Sequence, residues 1–301
     1  MHENEVDVDV ALVRRLVDTQ FPEWSGLELR IVEPWGTDNA IWRLGDELVI
    51  RMPRLPGDTQ VAFEAEWLPR LARHLPVEIP TPVAVGEPGE GYPFRWAVHG
   101  WIVGNGADLA PISDRTQFAD DLAATVLALW SAPTDGGRPA RNRARPVQDY
   151  DRGTRRAIES CDGLVDTAAV TEIWERAMAA QPHGPDVVWV HGDLEGNCLT
   201  RDGRLCALID WGIGSLGDPA VDVQVAWTRL FDDDARTRFL DRVGADEHVV
   251  ARARGAAVNQ ACAALPYYLT TYPTIVDRSI AKLEALGVDV DHDEIDRRRC
   301  T

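Results

Sequence analysis

Two short polar segments, each following an apolar run, carry the side chains best suited to chemistry. In the first, Val187–Val190 leads into His191-Gly192-Asp193-Leu194-Glu195-Gly196-Asn197. In the second, Leu205–Ile209 leads into Asp210-Trp211-Gly212. Phosphoryl transfer asks little covalent help of a protein. It needs a carboxylate beside an attacking hydroxyl and oxygen ligands for a Mg²⁺ ion that bridges phosphates. Asp193, then Asn197, then Asp210 supply those groups in that order. Other chemistries find no support: G-x-x-x-x-G-K-[ST] and G-x-S-x-G are both absent, and the seven histidines show no zinc spacing.

The elements that must position these residues can be read from periodicity. Val10–Asp18 and Val61–His74 have helical spacing, and Leu27–Glu33, Ile41–Leu44, Leu48–Met52, Pro82–Gly86 and Trp96–Val103 read as strands, with a hairpin at Gly45-Asp46. Beyond Gly104 the pattern turns helical. Helices are predicted at Ile112–Pro133, Asp149–Ser160 and Thr167–Ala180, with a Gly-, Arg- and Pro-rich loop over Gly136–Pro146. After Asp218 the expected helices are Pro219–Phe231, Asp234–Val243, Glu247–Thr270 and Pro273–Leu286. A β-rich half before a helical half is an α+β pattern. The predicted division is 1–103, 104–287 and a charged tail, 288–301, whose composition is compatible with disorder.

A chain of 301 residues, 45% hydrophobic, is long enough for one large core or two modest ones. Its net charge of −18 disfavours nucleic acid and anionic membranes; it either suits a cationic small molecule or serves only solubility. No 18-residue apolar run or signal-peptide pattern is evident, and the five cysteines are odd in number and widely spaced, so a cytoplasmic setting is expected. Lys282 is the only lysine, which matters because many phosphate sites use one.

The two aspartate loops resemble the catalytic and metal-binding loops of the aminoglycoside phosphotransferase family, relatives of the protein kinases. Gly36-Thr37-Asp38-Asn39-Ala40, Val49–Arg54, Glu64–Leu71, the run from Ile209 through Gly217-Asp218-Pro219 to Asp222, and Leu265-Pro266-Tyr267-Tyr268 extend the resemblance, in order, over residues 10 to 286. It implies a two-lobed protein-kinase-like fold, with a β-rich N-lobe holding one large helix and a mostly helical C-lobe. It also implies Asp193 as catalytic base or orienter, and Asn197 and Asp210 as Mg²⁺ ligands. Arg51 would stand where kinases place a lysine on the α- and β-phosphates, with Glu64 as its partner; Glu66 is the other acidic candidate on that helix. Gly36, Thr37, Asp38 and Asn39 would cover the nucleotide, ATP or GTP, and His99 to Trp101 would meet its base through backbone groups. His191 is expected to brace the loop, and Asp218 and Asp222 to be structural.

Two departures from the family pattern stand out. Arginine replaces the phosphate-binding lysine, and its geometry differs. The catalytic loop is also one residue short: the usual asparagine position, five residues after the aspartate, is Cys198, and Asn197 lies at four. Three functions follow from the resemblance. The first is a kinase for an aminoglycoside antibiotic, with resistance as its role. The second is a kinase of the same fold acting on a macrolide or a metabolite alcohol, since a scaffold does not fix the acceptor. The third is a nucleotide-binding pseudokinase disarmed by its short loop.

Overall fold

The first helix of the described residues has a cap that is legible in its sequence. Asp9 accepts a hydrogen bond from the Leu12 amide at 2.7 Å, and helix α1 (Val10–Gln20) buries Leu12, Val13, Leu16 and Val17 along one face. The computed structural model describes residues 5–32, 39–55, 58–109 and 112–299. These separate into two units, one of residues up to Val103 together with Ala207–Gly212, the other of Gly104–Cys206 and the rest from Ile213.

The first unit is built on an antiparallel sheet of five strands: β1 (Leu29–Ile31), β2 (Asn39–Leu44), β3 (Leu48–Pro53), β4 (Pro82–Gly86) and β5 (Trp96–Gly100), in the order β1-β2-β3-β5-β4. Strand alternation sends Trp42, Leu44, Ile50, Met52, Trp96 and Val98 into a core closed by α1. Burial of so many large side chains is the dominant stabilising term of this unit. Helix α2 (Asp58–Leu71) is the one large helix that the sequence called for here. Residues 207–212 belong to this unit because Ala207 bridges Glu78 in parallel and the Leu208 amide donates to the Glu78 carbonyl at 3.0 Å. The sequence division had placed them with the helical half.

The second unit is mostly helical. It contains β6 (Asn105–Gly106), α3 (Arg115–Trp130), α4 (Asp151–Ser160), α5 (Thr167–Ala179), β7 (Val188–Val190) and β8 (Cys198–Arg201). The strand β9 (Arg204–Leu208) leads out of it. Then come β10 (Ser215–Gly217), α6 (Ala220–Val223), α7 (Asp233–Val243), α8 (Glu247–Tyr268), α9 (Pro273–Ala285) and α10 (His292–Arg299). The long helix α8 packs against α4, α5, α6 and α9. β7 pairs antiparallel with β10, and β8 lies between β6 and β9. No helix of the described residues is long and apolar enough to cross a membrane.

Two expectations are corrected. The continuous helix over Pro219–Phe231 does not form: α6 has four residues, a 3-10 turn covers Gln224–Trp227, and Thr228 is extended. Residues 220–228 are buried throughout, so packing on every side overrides local helical preference. The charged tail, where disorder was allowed for, instead carries α10. Ile295 packs inward, and Asp291 accepts from the Glu294 amide at 2.9 Å, which gives that short helix a cap and one apolar anchor.

Candidate active site

Arg51 lies on β3 between Ile50 and Met52. Because those two face the core, alternation turns Arg51 to the opposite side of the sheet. There its Nη1 donates to Glu64 Oε1 on α2 at 2.9 Å, and its Nη2 donates to Asp210 Oδ1 at 3.0 Å. Gln60, one turn before Glu64, donates to the same Oε1 at 3.0 Å. Glu66, by contrast, pairs with Arg70 in solvent. Burial alone would lower the Arg51 pKa; the charges of Glu64 and Asp210, and the bonds to them, outweigh it, and the value is raised. A guanidinium fixed by two carboxylates keeps its remaining donors in a defined plane, the geometry that suits a phosphate.

His99, on β5, is fully buried, with Nε2 3.6 Å from Glu64 Oε2. Burial, and secondarily the Arg51 charge, push its pKa down to about 3, so it is neutral near pH 7 and makes no ion pair. Its side chain therefore packs behind Arg51 and Glu64. The Trp101 amide donates to the Glu47 carbonyl at 2.7 Å, and Arg43 sits 4.4 Å over its ring. That amide is therefore committed to the Glu47 carbonyl. Asn39 is buried at the start of β2, opposite Pro53. Gly36, Thr37 and Asp38 fall outside the described residues.

Asp210 has a left-handed backbone, φ +57°, which aspartate tolerates better than most residues. The next residue, Trp211, is fully buried and its Nε1 donates to the Leu208 carbonyl at 3.0 Å. This anchor fixes the turn and leaves the Asp210 side chain 53% exposed.

Within the second unit, the segment after β7 is gripped by a residue the sequence marked only as structural. Asp222, fully buried on α6, accepts the His191 amide at 3.1 Å and the Gly192 amide at 2.8 Å. Burial raises its pKa against the opposing pull of those bonds. Gly192, at φ +81°, makes the turn that presents both amides. The Asp193 amide then donates to His191 Nδ1 at 3.3 Å, so buried His191 braces the loop through its ring. Asp193 itself is 39% exposed. Its Oδ1 accepts from Arg143 Nη1 at 2.7 Å, a partner not foreseen. The only hint was the arginine density of the 136–146 loop.

The short loop closes by local bonds. Asn197 Nδ2 donates to the Asp193 carbonyl at 2.7 Å, while the Asn197 amide and the Cys198 thiol both donate to the Leu194 carbonyl, at 3.1 and 3.4 Å. Cys198 is fully buried in β8; burial, then the charges of Asp108 and Asp222, push its pKa far up. A neutral buried thiol is no ligand for Mg²⁺, whereas the Asn197 amide oxygen and the Asp210 carboxylate are the hard donors that ion prefers. Among the described residues no group of three or more His, Cys, Asp or Glu is gathered as a metal cluster.

The sequence profile of the phosphotransferase enzyme family matches residues 31–258. The chain belongs to this family. It is a phosphotransferase with a hydroxyl acceptor, and its fold is the two-lobed, protein-kinase-like one. Among solved structures it is similar to the GDP and kanamycin complex of APH(2")-IIia, with TM-score 0.70 and 19% identity over 91% of this chain and 98% of that one. It is also similar to macrolide 2'-phosphotransferase MphH from Brachybacterium faecium, with TM-score 0.62 and 21% identity over 91% and 97%. Macrolide 2'-phosphotransferase type I gives TM-score 0.63 and 20% identity over 93% and 98%. At these identities the likeness establishes the fold. No curated protein sequence matches the chain.

Proposed function

We propose that this phosphotransferase moves the γ-phosphate of ATP or GTP to a hydroxyl of a small molecule, with an aminoglycoside as the favoured acceptor. The observation that carries the reading is the Arg51–Glu64–Asp210 ion set, in which Asp210 comes from 159 residues further along the chain than Arg51. A buried carboxylate on a guanidinium is costly to assemble unless the cation is wanted in place. Arg51 would hold the α- and β-phosphates, with Glu64 and Gln60 keeping it oriented. Asp210 and Asn197 would be the Mg²⁺ ligands; the ion, when bound, neutralises charge on the phosphates. Asp193 would accept a hydrogen bond from the acceptor hydroxyl, aim its oxygen at phosphorus, and take its proton late in the transfer. Asn39, with Gly36, Thr37 and Asp38, would cover the nucleotide, and the backbone around His99 and Trp101 would meet its base.

An aminoglycoside is favoured by the net charge of −18, which draws polycations. The macrolide enzymes of similar fold support a second reading, in which the acceptor is a macrolide or another neutral alcohol. In either case Asp193→Ala is expected to lower turnover by at least about 10²-fold and leave nucleotide binding nearly intact, the usual scale for a positioned base. Steady-state release of nucleoside diphosphate, beside calorimetric binding of the nucleotide, checks this. Equal turnover in the variant and the native protein would dispose of the assignment.

A further inference from the structure

We infer that α9 serves as a cationic brace for the shortened Asp193 loop, with Lys282 and Arg278 as its positioning residues. The inference rests on reading Asp193 as the residue that orients the acceptor hydroxyl. Lys282 is the only lysine of 301 residues. Its Nζ lies 2.8 Å from Glu195 Oε2, inside the loop, and donates to Gln260 Oε1 of α8 at 3.2 Å. The side chains of Lys282 and Glu195 are only 5% and 9% exposed. Arg278, one turn earlier on α9, pairs with buried Asp108. Its guanidinium also lies against Gly196: a Cβ there would sit 2.7 Å from Nη1, at a backbone φ of +83°. Because Asp108 holds the guanidinium, it cannot readily move aside.

The loop is thus held along its whole length. Asp222 takes its first amides, Lys282 takes Glu195, Arg278 lies on Gly196, and Ala107 donates to the Cys198 carbonyl at 2.9 Å where β8 begins. Residues three and four apart share a helix face, so Arg278 and Lys282 act together. A buried ion pair adds little stability over apolar packing of equal volume. What it adds is a fixed distance and direction between two backbones. A loop one residue short has less slack to find its geometry, and a misplacement of about 1 Å costs about 10²-fold in rate.

The test compares the native protein with Lys282→Met, Lys282→Arg, the apolar pair Glu195→Met/Lys282→Met, and Asp193→Ala. Each preparation is measured for amide hydrogen exchange and for Mg-ATP and Mg-GTP turnover, with water as acceptor where no alcohol stimulates it. In the apolar pair, exchange over residues 191–198 is expected to rise by about 10-fold while that of α8 and α9 stays as in the native protein. Its kcat is expected to fall by about 10-fold or more with the nucleotide KM within about threefold, and Lys282→Arg to recover part of that loss. Native exchange in the loop together with native kcat in the apolar pair would overturn the brace. So would a rise in exchange spread evenly over the unit, which marks general loosening. If Asp193→Ala alone turns over nucleotide at the native rate, the reading of Asp193 fails, and the brace loses its purpose with it; Asp193→Ala inactive beside a fully active apolar pair sinks the brace alone.

Discussion

Arg51 shows how much one residue can be asked to do. It stands where a lysine is usual, and its planar fork binds Glu64 with one nitrogen and Asp210 with another. Arg51→Met is expected to lower kcat/KM for nucleotide by about 10²-fold, the scale of one or two charge-assisted bonds at about 1.5–3 kcal/mol each. Arg51→Lys should recover only part of this, because an ammonium cannot span two carboxylates in one plane. Initial rates at varied nucleotide concentration check both; an Arg51→Met enzyme with native kcat/KM would remove Arg51 from the phosphate site. His99 offers a test of the same cluster by pH. It is neutral when folded, with a pKa of about 3 against 6.5 when unfolded. Between those values the unfolded chain binds the extra proton, so His99 contributes nothing to pH dependence above about 6.5 and costs stability as pH falls below it. The slope is about 1.4 kcal/mol per pH unit from this group. Urea unfolding at pH 7.5 and 5.5 should show the native protein losing more stability than His99→Gln does. Equal losses would mean that His99 titrates normally in the folded state.

At the scale of elements, the Asp193 loop is a turn between β7 and β8 that owes its shape to parts distant in sequence. Asp222 is its principal anchor. Asp222→Ala leaves two buried amides without acceptors and is expected to cost about 2–4 kcal/mol, read from urea unfolding, with a matching rise in loop exchange. A loss below about 0.5 kcal/mol, the size of an ordinary surface change, would contradict that role. The strands leading to His191 and Asp210, the large α2 helix and the capped α3 were all legible because apolar period and cap residues coincide there. Arg51, Glu64, Asp193, Asn197 and Asp210 were singled out as candidates through motif and spacing. Apart from the Arg51–Glu64 pair and the His191 brace, what holds them was not. β6 and β10 are two or three residues long and carry no period, and the break at Thr228 comes from burial on every side. Lys282–Glu195 and Arg143–Asp193 join positions 87 and 50 residues apart, taking 282 less 195 and 193 less 143, where no local pattern can speak.

For the whole molecule the acidity is the feature with the widest consequence. A net charge of −18 raises the local concentration of a polycationic acceptor, and that effect fades as salt shortens the Debye length to about 8 Å near 0.15 M. An aminoglycoside KM should therefore rise severalfold between low and physiological salt, while a neutral macrolide KM should hardly move. The central claim is phosphoryl transfer to a hydroxyl, and phosphorus NMR of a reaction mixture tests it most directly. The protein is incubated with Mg²⁺, ATP or GTP, and in turn an aminoglycoside, a macrolide and simple metabolite alcohols, beside the same mixtures with Asp193→Ala. A new phosphate monoester resonance, growing with nucleoside diphosphate in the native sample and absent with the variant, is the predicted result. Nucleotide that binds and stays intact with every acceptor, or a monoester formed equally by Asp193→Ala, would contradict it.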